Sequence, residues 1–86
     1  MSSYRVDFTT AAAKQIRKLD PIIRRRILAA VRLLESDPRP AASKKLLGEQ
    51  FAWRQRVRNY RVIYDIEDDQ LVVTVVRAAH RGEVYQ

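Results

Sequence analysis

The sequence has no cysteine, one histidine and only two glycines, and these shortages exclude several classes of site. Without cysteine there is neither a disulfide framework nor thiolate ligation of a metal. A single histidine does not make a zinc site, and two separated glycines do not make a glycine-rich phosphate-binding loop. Any chemistry is therefore expected to need no metal and no cofactor.

Long apolar runs are also missing. No stretch approaches the roughly 18 apolar residues of a membrane span, and no signal-peptide core follows the first residues. We therefore expect a cytoplasmic protein without membrane contact. A length of 86 residues predicts one domain covering residues 1–86, and the 47% hydrophobic content predicts a modest core.

The charge balance points to an anionic partner. Seventeen lysines and arginines face ten acidic residues, which gives a net charge of +7, and thirteen of the seventeen are arginine. Net charge bears on partners and solubility, not on fold. A guanidinium presents a rigid fork of donors that matches phosphate oxygens, so the arginine bias favours a phosphate-containing partner.

The hydrophobic periodicity predicts an α+β fold with the order β-α-α-β-β-β. The predicted strands are residues 4–8, 53–58, 61–67 and 71–78, and the predicted helices are residues 11–18 and 21–35. Thr9 or Thr10 is the expected N-cap of the first helix, and Asp20 that of the second, before a proline at its first position. We expect a small twisted, largely antiparallel sheet with the helical hairpin packed on one face.

Residues 37–48 are predicted to be irregular, and Asn59-Tyr60 is predicted to be a two-residue turn. With that turn, Arg58 opposes Arg61 and Arg54 opposes Asp65 on one face of the sheet.

Arg56 joins Arg54, Arg58 and Arg61 there, so four arginines converge. Like charges placed opposite each other destabilise a sheet by roughly 0.2–1 kcal/mol per pair. Such a cluster is easier to explain if it binds a polyanion than if it is only a solvated outer surface.

Other candidates lie near this hairpin and at the C-terminus. The rings of Tyr60 and Tyr85 could stack on nucleobases, worth roughly 1–3 kcal/mol per base, or could simply cover apolar surface. His80 is either a surface residue or a proton-transfer group, because histidine is the residue type that titrates near neutrality. Lys44 and Lys45 extend the basic stretch.

Three stretches resemble the RelE group of bacterial toxins, from the RelE/ParE superfamily of toxin–antitoxin systems. They are residues 45–48 (KLLG), 53–64 (WRQRVRNYRVIY) and 80–85 (HRGEVY). The order of elements also matches the compact fold of that family.

The resemblance implies the toxin of a type II system, a metal-free endoribonuclease that cuts messenger RNA in the ribosomal A site through attack of the 2′-hydroxyl. The resemblance implies that Arg54 and Arg56 contact the message, Arg61 stabilises the phosphorane charge, Arg81 assists the leaving oxygen and Tyr85 stacks on a base. His80 joins this catalytic set because of its titration near neutrality, not because of the resemblance. Charge and ring type add four RNA-contact candidates: Lys44, Lys45, Arg58 and Tyr60. The implied partners are a RelB-like antitoxin, messenger RNA and the ribosome, with a toxin–antitoxin heterotetramer as the assembly.

One departure affects the mechanism. Several relatives carry lysine where this chain has Arg54 and Arg56, and arginine effectively never gives up its proton. A general base is therefore either His80 or Tyr85, or electrostatics alone carry most of the rate.

Two alternatives remain open from the sequence. A toxin of the ParE branch inhibits DNA gyrase and is not a nuclease, although its members generally lack this arginine strand together with a terminal tyrosine. A non-catalytic nucleic-acid-binding module is the other.

Overall fold

The computed structural model describes residues 3–48 and 52–80. The elements are β1 (Arg5–Phe8), α1 (Thr10–Arg17), α2 (Pro21–Leu33), β2 (Ser43–Lys45), β3 (Ala52–Val57), β4 (Tyr60–Glu67) and β5 (Val72–His80). The strands form one sheet in the order β1-β5-β4-β3-β2, in which β1 runs parallel to β5 and the other pairs are antiparallel. The predicted α+β fold class is confirmed.

The core lies between the two helices and one face of the sheet. Its buried residues are Ala12 and Ile16 from α1, Ile27 and Val31 from α2, Leu34, and Val62, Tyr64, Ile66, Val73, Val75 and Ala78 from the sheet. Alternate residues of β4 point to the helices, as the period of a strand requires. The other sheet face carries charged side chains together with a few apolar ones, among them Ile63 and Ala79. No helix in the described part of the chain is long and apolar enough to span a membrane.

The helix starts are set by local sequence. The Thr9 hydroxyl accepts a hydrogen bond from the Ala12 amide at 3.1 Å, which makes Thr9 the N-cap of α1. Pro21 occupies the first turn of α2 as predicted, but the Asp20 side chain makes no capping hydrogen bond. Asp20 thus occupies the predicted N-cap position, but the predicted capping by its carboxylate was wrong, and the fixed φ of proline favours the start of this helix without it.

The segment predicted to be irregular contains the short strand β2. Ser43 pairs with Gln55 and Lys45 with Trp53, so β2 forms the edge of the sheet beside β3. Three polar residues carry no apolar alternation, and so no periodic signal could reveal this strand. Its conformation follows from pairing with β3.

The β3–β4 turn lies one residue earlier than predicted. Val57 pairs with Tyr60 and Arg56 with Arg61, which leaves Arg58 and Asn59 as the turn. Arg58 has a left-handed φ of 58°. Tyr60 packs partly against the core, and burial of its ring on the helix side fixes the register. The predicted pairings of Arg58 with Arg61 and of Arg54 with Asp65 were wrong.

A side chain of α1 satisfies a backbone amide at the edge of β5. Pairing of β1 with β5 ends at Phe8 and Val75, and beyond that point Gln15 Oε1 accepts a hydrogen bond from the Ala78 amide at 2.9 Å. A buried amide that loses its hydrogen-bond acceptor lowers the stability of a protein by about 1–3 kcal/mol.

Gln15→Leu is therefore expected to lower the free energy of unfolding by about 1–3 kcal/mol, measured by urea denaturation. An effect no larger than that of the exposed neighbouring change Lys14→Ala would contradict this role.

The loop after α2 is tied to the far end of the sheet through Asp68. Arg39 donates to both Asp68 carboxylate oxygens, at 3.1 and 2.7 Å, and the Tyr4 hydroxyl donates to Oδ1 at 2.6 Å. The Arg39 guanidinium also lies 5.2 Å from the centroid of the Trp53 ring. Hydrogen bonds from Arg39, and then from Tyr4, lower the pKa of Asp68 to about 2. This network joins four distant parts of the sequence.

The network predicts how stability depends on pH. The pKa of Asp68 falls from an ordinary 3.8 to about 2 on folding, so its contribution is present above about pH 4 and is lost as pH falls through about 2. Asp68→Asn should therefore have a lower melting temperature than wild type at pH 7. This difference in melting temperature should decrease to zero between about pH 4 and pH 2. Thermal melts across this range test the prediction, with Asp69→Asn as the exposed control. A gap that stays constant down to pH 2 would refute it.

Candidate functional site on the arginine face

The sheet face opposite the helices carries a cluster of cations. Arg56 pairs with Arg61, Lys44 with Arg54, and Ile63 with both Arg54 and Arg77. Directly paired residues of neighbouring strands project to the same face. The five basic side chains therefore share one surface, which we call the arginine face: Lys44, Arg54, Arg56, Arg61 and Arg77.

Arg61 differs from the others because it is only 5% exposed. It lies on the central strand β4, between Arg56 of β3 and Ala79 of β5. The short side chain of Ala79 leaves room for the guanidinium. A charge fixed in such surroundings acts on a nearby anion more strongly than one in water, because the effective dielectric constant is lower. Arg61 is thus the part of this face best suited to stabilise negative charge.

An open cleft of about 260 Å³ lies beside this position, lined by Ala42, Lys44, Arg54 and Arg56. Arg54 is half-buried, whereas Lys44 and Arg56 are exposed. Among the residues that the structure describes, no acidic side chain lines the cleft and none of its three cations forms an ion pair. The arrangement suits a phosphate, which a guanidinium binds through two parallel hydrogen bonds.

The structure separates several predicted residues from this cluster. Tyr60 and His80 lie on the helix side of the sheet, where their rings meet edge to face with centroids 5.4 Å apart. Lys45 also points to that side, since it pairs with Trp53. Arg58 lies at the tip of the hairpin. Strand alternation places these side chains, so the candidates His80, Tyr60 and Lys45 do not lie on the face that carries the arginines. Arg81 and Tyr85 fall outside the described residues.

Arg77 belongs to the arginine face but was missed from the sequence. It lies in the last predicted strand, and its position follows only from the register of β5 on β4. That register is irregular between Ile63 and Tyr64, where a bulge shifts the pairing. A bulge reverses the alternation beyond it, and nothing local in the sequence marks it.

Within residues 3–48 and 52–80, no group of three or more histidine, aspartate or glutamate side chains is placed to hold a metal ion.

Comparison with known proteins decides the family. The family model described as "ParE toxin of type II toxin-antitoxin system, parDE" matches residues 6–85. The chain belongs to the RelE/ParE toxins. This toxin is similar to Toxin RelG of Mycobacterium tuberculosis (strain ATCC 25618 / H37Rv), with 34% identity over 88 residues, 96% of this chain and 97% of RelG.

Solved structures support the same family assignment. The toxin superposes on a chain of the archaeal RelE–RelB complex of Pyrococcus horikoshii OT3 with a TM-score of 0.83 and 29% identity, over 93% of this chain and 97% of the other. For a chain of the toxin–antitoxin complex RelBE2 of Mycobacterium tuberculosis, the TM-score is 0.81 and the sequence identity is 31%. The match covers 92% of this chain and 99% of the other. The resemblance found in the sequence is confirmed: this is a RelE-like type II toxin.

Proposed function

We propose that this toxin is a metal-free endoribonuclease that cleaves messenger RNA in the ribosomal A site and so inhibits translation. The observation that carries the proposal is the buried Arg61 beside Arg54 and Arg56 on one open face of the sheet. Family membership supports it, because the resemblance implies this activity for the RelE group.

In the proposed reaction the 2′-hydroxyl oxygen of the message attacks the adjacent phosphorus. The bond from phosphorus to the 5′ oxygen breaks, which leaves a 2′,3′-cyclic phosphate and a free 5′-hydroxyl. Negative charge accumulates on the phosphorane, where the fixed Arg61 stabilises it more than it stabilises the ground state. Arg54 and Arg56 hold the flanking backbone. Lys44 and Arg58 extend this contact. Lys45 and Tyr60 lie on the helix side of the sheet, so they do not belong to the same RNA path. Arg81 is proposed to assist the leaving oxygen and Tyr85 to stack on a base.

The proton of the 2′-hydroxyl needs an acceptor, and arginine does not provide one. His80 is less well placed than the sequence predicted, since its ring packs against Tyr60 on the helix side. Fixed positive charge is therefore proposed to supply most of the rate, with Tyr85 as the other protein group for the proton.

The proposed protein partner is a RelB-like antitoxin. Similar structures include RelE–RelB complexes from Pyrococcus horikoshii OT3 and from Escherichia coli. A net charge of +7 favours an acidic antitoxin, which would compete with RNA for the arginine face. A toxin–antitoxin heterotetramer, held in the cytoplasm where ribosomes are found, is the proposed resting form.

Primer extension on a translated message tests the nuclease proposal. Wild type should produce stops within the reading frame only when ribosomes are present, and Arg54→Ala/Arg56→Ala should remove most of them. The double variant Arg25→Ala/Arg26→Ala is the matched control, because it removes the same charge from the exposed side of α2. Intact messages with folded wild type would refute the enzymatic proposal.

The matching family model is described as a ParE toxin. Because the resemblance implies inhibition of DNA gyrase for the ParE branch, this activity is the second candidate. A supercoiling assay with purified gyrase distinguishes the two. Loss of supercoiling without RNA cleavage selects gyrase inhibition, and RNA binding with neither effect selects a non-catalytic module.

A further inference from the structure

A second cleft opens on the same sheet face, next to the arginines. It has a volume of about 380 Å³ and is lined by Leu46, Ala52, Ile63, Asp65, Val76 and Arg77. We call it the Ile63 cleft. Its walls differ from those of the cationic cleft, since four of the six side chains are apolar and one is a carboxylate. A phosphate would be repelled by Asp65, so this cleft fits another part of a ligand.

The two charged residues of the cleft are available for binding. Asp65 is half-exposed and Arg77 exposed, and neither forms an ion pair with any residue that the structure describes. Opposite charges that share a cleft without pairing present an acceptor and a donor side by side. At neutral pH a carboxylate is an acceptor only, and a guanidinium is a donor only.

The position of the cleft connects it to the proposed cleavage site. Ile63 of β4 is paired with Arg54 of β3 on one side and with Arg77 of β5 on the other. Arg61 lies two residues earlier in β4 and projects from the same face. Residues two apart in a strand are separated by about 7 Å. An RNA strand whose phosphate contacts Arg61 therefore has a neighbouring base within reach of the Ile63 cleft.

We propose that the Ile63 cleft is a nucleobase subsite that prefers guanine, read by Asp65 and Arg77 over an apolar floor. The inference rests on the proposed function, because it assumes that RNA lies on the arginine face.

Guanine can form hydrogen bonds with both charged residues of the cleft. Its N1–H and exocyclic N2 amino group are adjacent donors that one carboxylate accepts together, and its O6 and N7 are the acceptor pair that an arginine fork binds. The other bases lack one or both of these adjacent pairs. Unstacked bases in single-stranded RNA expose these edges. In this arrangement the flat face of the base packs against Ile63, Ala52 and Val76, so the apolar floor contributes contact area.

Binding of 2′-O-methyl hexanucleotides tests the subsite without cleavage. One position carries guanine, inosine or 7-deazaguanine: inosine removes only the N2 amino group, and 7-deazaguanine only the N7 acceptor. Wild type should bind the guanine oligonucleotide roughly 5- to 10-fold more tightly than either analogue, in line with the discrimination of a bidentate pair. Asp65→Asn should abolish the preference over inosine, and Arg77→Gln the preference over 7-deazaguanine.

Asp69→Asn and Arg25→Gln remove the same charges elsewhere and should keep both preferences. The inference is overturned if wild type binds all three oligonucleotides equally, or if Asp65→Asn leaves the guanine-to-inosine ratio unchanged. A variant that weakens recovery of a co-expressed antitoxin but leaves that ratio intact would show a protein-docking surface instead. Wild type that binds none of the oligonucleotides would also overturn the inference, whereas intact messages in the primer-extension assay would refute the proposed function, a distinct result.

Discussion

Replacing Arg61 by glutamine is expected to lower the rate of message cleavage by about 100- to 1,000-fold, the usual effect of removing one preorganised donor from a developing oxyanion. Arg61 is only 5% exposed and lies directly opposite Arg56, so water cannot easily substitute for its charge. The measurement is single-turnover cleavage on programmed ribosomes. The binding of uncleavable RNA should fall much less, because the lost interaction acts mainly on the transition state.

Two further variants separate charge from folding. Arg61→Lys keeps a cation but lacks the planar fork, so it should recover only part of the rate. Arg25→Gln, on the exposed side of α2, should cleave as wild type does. Melting temperatures of all variants show whether they fold. A folded Arg61→Gln protein with wild-type cleavage would remove Arg61 from the mechanism.

Tyr64→Ala is expected to lower the free energy of unfolding by about 3–5 kcal/mol, which is the range for truncating a buried aromatic residue. Tyr64 is 0% exposed at the centre of β4, and its hydroxyl donates to the Pro38 carbonyl oxygen at 3.1 Å. A small domain is stable by only about 5–15 kcal/mol, so this variant should be largely unfolded at modest urea concentrations. Burial raises the pKa of Tyr64, which keeps the phenol neutral.

Tyr64→Phe isolates the hydroxyl group. It keeps the ring but leaves the buried Pro38 carbonyl without its donor, so a loss of about 1–3 kcal/mol is expected. Urea denaturation at neutral pH measures both variants. Equal losses for Tyr64→Phe and Tyr64→Ala would mean that the hydrogen bond, and not packing of the ring, accounts for the stability.

The elements with a clear hydrophobic period were predictable from the sequence. Helical spacing in the sequence predicts an apolar stripe on α2 formed by Ile23, Ile27, Ala30 or Val31, and Leu34. In the structure Ile27, Val31 and Leu34 are buried and Ile23 is half-buried. Strand β2 was not predictable, because its polar residues form a strand only through pairing with β3. Asp20 shows a second limit, since a residue type that often caps helices does not do so here.

Three members of the arginine face, Arg54, Arg56 and Arg61, were predicted to share one side of the sheet, although from an incorrect register. The prediction paired Arg58 with Arg61, whereas Arg56 occupies that position, a shift of two residues. Side chains of a strand repeat every two residues, so the shift kept Arg54, Arg56 and Arg61 on one face. It moved Asp65 opposite Ala52, away from Arg54. The sequence was therefore sufficient to predict that these three arginines share a face, but not which residues they pair with on the neighbouring strand.

The pairing of Arg56 with Arg61 has a consequence for the free toxin. Two like charges in adjacent strands add a repulsion that every bound polyanion relieves. A ligand that binds the folded toxin at this pair therefore also stabilises the fold, which links binding to folding thermodynamically. Under the proposed function, an RNA substrate or an acidic antitoxin that neutralises this pair would therefore also stabilise the folded toxin.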